Sequence, residues 1–431
     1  MSDMHSESVG YVRDSFLPER EPPARETGVI KWLRANLFSN WIYAILTLLS
    51  IYAIYVLLSG FLPWLLGGIW QAESIRDCRE IADGGVGGCF AVLTDRWYQL
   101  LFGFSYPSTE YWRPTLAFFL LLVGAAPILF PAVPRPLLVL TLLYPFVAYW
   151  LIWGGTILVP LMALFGVVAG YVVYSRLVAR SFAMGLFGGV VAAFVVWWLG
   201  GFVTAEAPRF LALPQVASRD MGGFVLNMIL GVVCVSLSLP IGILLALGRQ
   251  SRLPIIKWIC IVFIEFVRGV PLITLLFVAN VVLAYFLPPG TNFDLILRVI
   301  IMITMFASAY IAEVIRGGLA ALPRGQYEGA ESLGLDYAQS MRLIILPQAL
   351  KISIPGIVNV AVGLFKDTTL VSIISMFDLV GMIRGPILAS TDWNGVYWEL
   401  YGFAALLFFV VCYSISQYSQ WLERQLATDR R

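Results

Sequence analysis

Long apolar runs, recurring between residues 41 and 418 and almost free of charge, constrain this chain more than any other feature. An α-helix needs about 20 such residues to cross the hydrocarbon layer of a bilayer, and unpaired backbone groups are too costly there for any open structure. The runs are too many to hide in a soluble core, since 60% of the 431 residues are hydrophobic and only 13% are charged. The expected fold is therefore an all-α integral membrane protein. Runs fall at 41–64, 116–130, 137–153, 157–174, 182–203, 224–247, 259–286 with a break near 268–271, 295–314, 352–376 and 396–418, which makes about ten transmembrane helices. The second and third are short and separated only by Pro131, Pro134, Arg135 and Pro136, so either could be re-entrant.

Several function classes drop out early. A net charge of +2 and the lack of any basic tract argue against a nucleic-acid surface. The single histidine, His5, lies in a polar tail at 1–35, so neither a histidine-ligated zinc site nor a histidine acid–base pair can be built in the body of the protein, and no metal site is expected. Cys234, Cys260 and Cys412 sit in apolar stretches as packing residues. Cys78 and Cys89 lie together in a polar, glycine-rich segment, where their spacing permits a disulfide if the segment faces an oxidising compartment; two reduced thiols are the alternative.

Basic residues near span ends are held on the cytoplasmic side. Threading ten spans from a cytoplasmic N-terminus puts Lys31, Arg34, Arg176, Arg180, Arg249, Arg252, Lys257, Arg316, Arg324, Arg342, Lys351, Arg424, Arg430 and Arg431 inside. It leaves the cysteine-bearing loop at 70–113, the segment 288–293 and the region of Trp393 outside. Both termini are then cytoplasmic. The division expected from composition is a tail at 1–35, extra helices at 36–215 with almost no ionisable residues, and a more polar region at 216–425.

The loop at 318–350 is far longer than a helix connection needs. Residues 327–333 favour a helix, supported by an Arg324/Glu328 pair at i,i+4 and closed by Gly334 as a C-cap. Asp336 starts a second helix, Gln339 completes a capping-box pattern, and Pro347 is expected to end it. Tyr337, Met341, Ile344 and Ile345 give that helix one apolar stripe. An amphipathic hairpin on the inner leaflet would favour Lys and Arg where Glu328 and Glu331 stand, so a cytoplasmic protein partner suits the hairpin better.

These residues resemble a known pattern. Glu328-Gly329-Ala330, Gly334, Ile344, Leu346 and Pro347 match the EAA motif of bacterial ABC importer membrane subunits. FVRGVPL at 266–272, SAYIAEVIRGG at 308–318 and KDTTL at 366–370 resemble the polar amino acid branch of that family, and the long N-terminal extension is similar to that of one general L-amino acid permease subunit. The resemblance covers about 220–420 and implies a five-helix type I ABC importer core behind an N-terminal helical extension. It implies that Glu328, Gly329, Ala330 and Gly334 dock on a separate ATPase, which holds ATP and Mg. It further implies a second, different permease chain, a periplasmic amino acid-binding protein, L-amino acids as substrate and a place in the bacterial inner membrane. Gly329 departs from the usual Ala, which weakens the helix by about 1 kcal/mol.

Ionisable residues within a span are expensive enough to be functional candidates. Lys366 and Asp367 fall near mid-span, and with Thr368, Thr369 and Ser372 they form a polar patch suited to a zwitterion; a buried ion pair locking the bundle is the alternative. Glu313 and Arg316, at i,i+3, read as a solvated or gating pair. Asn280 suits either the substrate path or a hydrogen bond between helices. Arg268 reads as an anchor at a helix break. With four lysines, none preceded by glycine, the chain has no nucleotide cradle, so it is not itself an ATPase and binds no cofactor of its own. An ion-coupled secondary transporter would show matched broken helices in two repeats, and a membrane enzyme would show clustered His or carboxylates; neither pattern is visible.

Overall fold

The computed structural model describes residues 28–206, 211–282 and 294–427. The first 27 residues of the polar tail with His5, the segment 288–293, and Arg430 and Arg431 lie outside the described residues. Two compact units are present: one holds the chain up to Gly68 with Ala82–Gly88, the other Ile69–Ile81 and everything from Cys89 on.

In the first unit α1 (Gly28–Asn36) precedes α2 (Trp41–Leu66). Asn40 caps α2 by accepting the Tyr43 N–H at 3.0 Å. No side chain of this apolar helix is buried within the chain, so its surface is matched to lipid.

The second unit opens with three short helices, α3 (Ile75–Ala82), α4 (Ala91–Asp95) and α5 (Trp97–Phe102). Sequence alone reads this stretch as a loop, because its helices are short and polar. Burial comes instead from residues about 300 positions away in sequence. Leu100, Ala91 and Val92 pack with Leu379, Ile383, Trp393 and Leu400. The Glu399 carboxylate accepts the Cys89 N–H at 2.9 Å, and the indole of the fully buried Trp393 donates to Asp95 at 2.7 Å. Cys78 and Cys89 are joined in a disulfide within this cluster.

Four apolar helices follow: α6 (Trp112–Leu129), α7 (Leu138–Trp153), α8 (Leu158–Leu177) and α9 (Phe182–Glu206). The α6 and α7 runs are both long enough to cross a bilayer. Gly166 and Gly170 of α8 face backbone carbonyls of Ala193 and Gly189 on α9, a close approach that side chains would block. The fully buried Arg113 donates to the carbonyls of Leu151 and Pro214 at 2.6 and 2.8 Å, tying α6 and α7 to the strap that leads into the next region. Gly154 passes so close to Pro214 and Arg113, at φ +76°, that no side chain fits there.

The remaining helices are α10 (Gly223–Arg249), α11 (Pro254–Gly269), α12 (Leu272–Phe277), α13 (Leu295–Ala320), α14 (Arg324–Ser332), α15 (Tyr337–Ser340), α16 (Leu346–Asp367), α17 (Leu379–Met382) and α18 (Tyr397–Ala427). Helix α10 packs on α13, α13 on α16 and α16 on α18. Among the described residues nine helices, some continued by short helical turns, are long and apolar enough to cross a membrane. The tenth expected span is not a straight helix: α11 and α12 meet at 102°. Pro271 supplies the break, since it cannot donate to the preceding turn.

Candidate functional site

The hairpin forms much as its local chemistry dictates. Gly334 takes φ +73° just past α14, the left-handed conformation that a helix C-terminus favours in glycine. Asp336 and Gln339 make a complete capping box. Two expectations fail. Arg324 and Glu328 form no ion pair among the described residues; both are exposed, where such a pair gains little. Nor does Pro347 end the second helix. Residues Met341–Ile345 form a π turn in which the Leu346 N–H reaches the Met341 carbonyl, and Pro347 enters at the start of α16, where its missing N–H costs little. The hairpin is thus continuous with a long helix of the bundle.

Three of the four stripe residues face the chain itself, whereas Tyr337 is exposed. Met341 and Ile345 are buried and Ile344 is half-buried, packed with Leu319, Leu322 and Tyr327 in one cluster. Gln348 donates to Gln326 at 2.9 Å, joining the two arms. Ala330 is buried and packs inward, whereas Glu328, Gly329, Gly334 and Pro347 are exposed and Leu346 is half-buried. What the hairpin offers outward is a small-residue surface flanked by the exposed carboxylates of Glu328 and Glu331.

The polar patch falls within the candidate span 337–374, at a change of helix type. Helix α16 ends at Asp367 and continues as a 3₁₀ turn, Thr368–Ile374, so Lys366 and Asp367 stand where the helix changes type. Lys366 is exposed and Asp367 half-buried, and neither makes an ion pair among the described residues. The locking pair is therefore not formed within them. Thr369 and Ser372 hydrogen-bond their own backbone, to the carbonyls of Lys366 and Thr369. The 3₁₀ turn packs on the broken helix α12. Asn280, in the π turn Val278–Val282, is half-buried, and its carbonyl accepts from Arg298 at 3.4 Å.

Thr368 belongs to a buried network that the sequence reading missed. The Asn227 amide donates to the Thr368 hydroxyl at 2.9 Å and to the Asp378 carboxylate at 3.1 Å, and its carbonyl accepts the Leu379 N–H at 3.0 Å. Asp378 also accepts N–H bonds from Gly381 and Val380 as the cap of α17. Burial pushes its carboxyl up to about 6, against the pull of these donors. The one available signal was an asparagine inside the apolar run at 224–247.

A second cluster gathers at the far end of α10. Glu313 meets Arg316 of its own helix, Arg249 at 3.3 Å and Arg268 at 3.7 Å, and Arg249 also meets Glu265 at 2.9 Å. Arg268 lies over the Tyr310 ring, 5.6 Å from its centroid. The expected two-residue pair is thus the hub of a network joining α10, α11 and α13.

Apolar helices, with Lys366 and Asp367 making no ion pair among the described residues, and a hairpin continuous with the bundle define the class: a polytopic membrane protein. Residues 238–427 match the model of the family described as binding-protein-dependent transport system inner membrane component. The glutamate/glutamine/aspartate/asparagine transport system permease protein BztC of Rhodobacter capsulatus is 51% identical, covering 98% of this chain and 99% of that protein. The inner membrane amino-acid ABC transporter permease protein YhdY of Escherichia coli is 36% identical over 96% of this chain and 97% of its own length. The probable glutamine ABC transporter permease protein GlnP of Bacillus subtilis is 31% identical, but covers 47% of this chain and 90% of itself. The chain belongs to the amino-acid ABC transporter permeases. It is a multi-pass inner-membrane permease subunit of an amino-acid ATP-binding cassette importer, and the comparisons lend no support to an ion-coupled secondary transporter.

Proposed function

We propose that this permease is moved by separate ATPase subunits through the hairpin formed by α14 and α15, and that it carries acidic amino acids and their amides. The observation that carries the first part is the continuity of the hairpin with α16: a force applied at Glu328 and Gly329 passes through the π turn into the helix that bears Lys366 and Asp367. Exposed Glu328 offers a carboxylate to a basic partner group, and Gly329 and Gly334 permit close approach. ATP and Mg sit on that partner. The hairpin is on the cytoplasmic side with both termini, and the disulfide-bonded cluster is outside, where a binding protein delivers substrate. The substrate range follows the name of the 51% identical relative. Lys366, Asp367, Thr369 and Ser372 at the change of helix type, beside α12 and Asn280, form the path for a zwitterion. A second, different permease completes it, in keeping with the helices that this chain carries beyond its shorter relatives.

Glu328→Arg tests the coupling. The side chain is exposed, so the variant inserts and folds as before, within about 0.5 kcal/mol. Co-purification of the ATPase and uptake of labelled glutamate are both expected to fall at least tenfold. Unchanged association and uptake would overturn the assignment. Competition of that uptake by glutamine, aspartate and asparagine, but not by lysine or leucine, is the expected substrate profile.

A further inference from the structure

Helix α11 reads PIIKWICIVFIEFVRG, with Ile255, Ile259, Val262 and Phe266 at positions that share one face. Those four side chains are 60–74% exposed, and Trp258 beside them is 64% exposed. On the other face Ile264 and Val267 are buried, Ile264 among residues of α10 and α13. So far this describes any helix at the rim of a membrane bundle.

Its contacts along the axis set it apart. Near its start, Ile256 and Cys260 lie against Gly248, the penultimate residue of α10. Near its end, Glu265 pairs with Arg249 and Arg268 with Glu313, which Arg249 also reaches. A 16-residue helix rises about 24 Å. Were α11 to cross the membrane alongside α10, Arg268 would stand about 21 Å from Pro254, beside the middle of α10. Both ends of α11 instead meet the same end of α10. The turn of 102° into α12 agrees with this, since two helices at such an angle cannot both run along the bilayer normal.

We propose that α11 lies in the plane of the membrane, at the level where α10 ends, with Ile255, Ile259, Val262 and Phe266 seated among the acyl chains at the headgroup boundary. Lipid fits this face because Arg252 and Lys257 are exposed at its N-terminal end, where they complement anionic headgroups. The side of the membrane is taken from the hairpin reading; the in-plane placement is independent of it.

The test uses the assembled transporter in nanodiscs containing anionic lipid, with Cys260 and Cys412 replaced by serine. Ile255→Cys, Val262→Cys and Phe266→Cys each carry one fluorophore, and lipids bearing nitroxides at two acyl depths report its depth. Equal, shallow depths within about 5 Å are expected, while Leu237→Cys and Leu244→Cys on α10 differ by about 10 Å. A gradient of about 16 Å from position 255 to 266 would make α11 a spanning helix and overturn the proposal. Absence of quenching at all three would mean that protein covers the face, and would overturn it equally. Neither result bears on whether Glu328→Arg releases the ATPase.

Discussion

Asn227→Leu removes the residue that joins α10 to the 3₁₀ turn and to α17, while keeping its branched shape and number of heavy atoms. The Leu379 N–H is left buried without its acceptor, which costs about 1–3 kcal/mol, and Asp378 loses a hydrogen bond worth about 1.5–3 kcal/mol when ionised. A total near 4 kcal/mol corresponds to a fall of roughly 10 °C in Tm for a domain of this size. The loss depends on pH. Burial raises Asp378 from near 4 in the unfolded chain to about 6 in the folded one, so the folded protein binds the extra proton and its stability declines as pH rises from about 4 to 6. The Asn227 bond favours the ionised form and opposes that rise. Without it the carboxyl moves higher still, the decline continues past pH 6, and the variant's deficit is larger at pH 8 than at pH 5. Unfolding followed with a thiol-reactive dye, reporting exposure of the buried Cys234, measures both values. A Tm fall under about 2 °C at both pH values, or a larger deficit at pH 5, would refute the reasoning.

Two further outcomes follow from the geometry. Cys78→Ser with Cys89→Ser removes a crosslink closing 11 residues, expected to cost about 3 kcal/mol from chain entropy, and the wild type should show two additional reactive thiols only after denaturation with reductant; their labelling without reductant would contradict the bridge. Lys366→Met leaves a group without an ion-pair partner among the described residues unable to meet a carboxylate, so uptake falls at least tenfold with assembly intact, and unchanged uptake would remove Lys366 from the path.

Local chemistry was legible in the sequence. Asp336 and Gln339 at a helix start and Gly334 at a helix end act within a few residues, and apolar runs declare themselves by length alone. Long-range burial was not. Arg113, Trp393 and Asp378 look like ordinary loop or rim residues until elements far away in sequence close over them. Pro347 misled for a related reason: a proline stops a regular α-helix, but a π turn before it lets the chain continue. The break at Pro271 was visible, whereas neither its 102° angle nor the pairing of Arg249, Arg268, Glu265 and Glu313 across three helices could be read from local pattern.

The central claim is that these helices move only when a separate nucleotide-hydrolysing subunit pulls on the hairpin. Reconstitution in vesicles with and without the ATPase, scored for concentrative uptake of labelled glutamate, tests it most directly. The account predicts accumulation that requires ATP and the ATPase and is lost with Glu328→Arg. Accumulation against a gradient by the permease alone would contradict it.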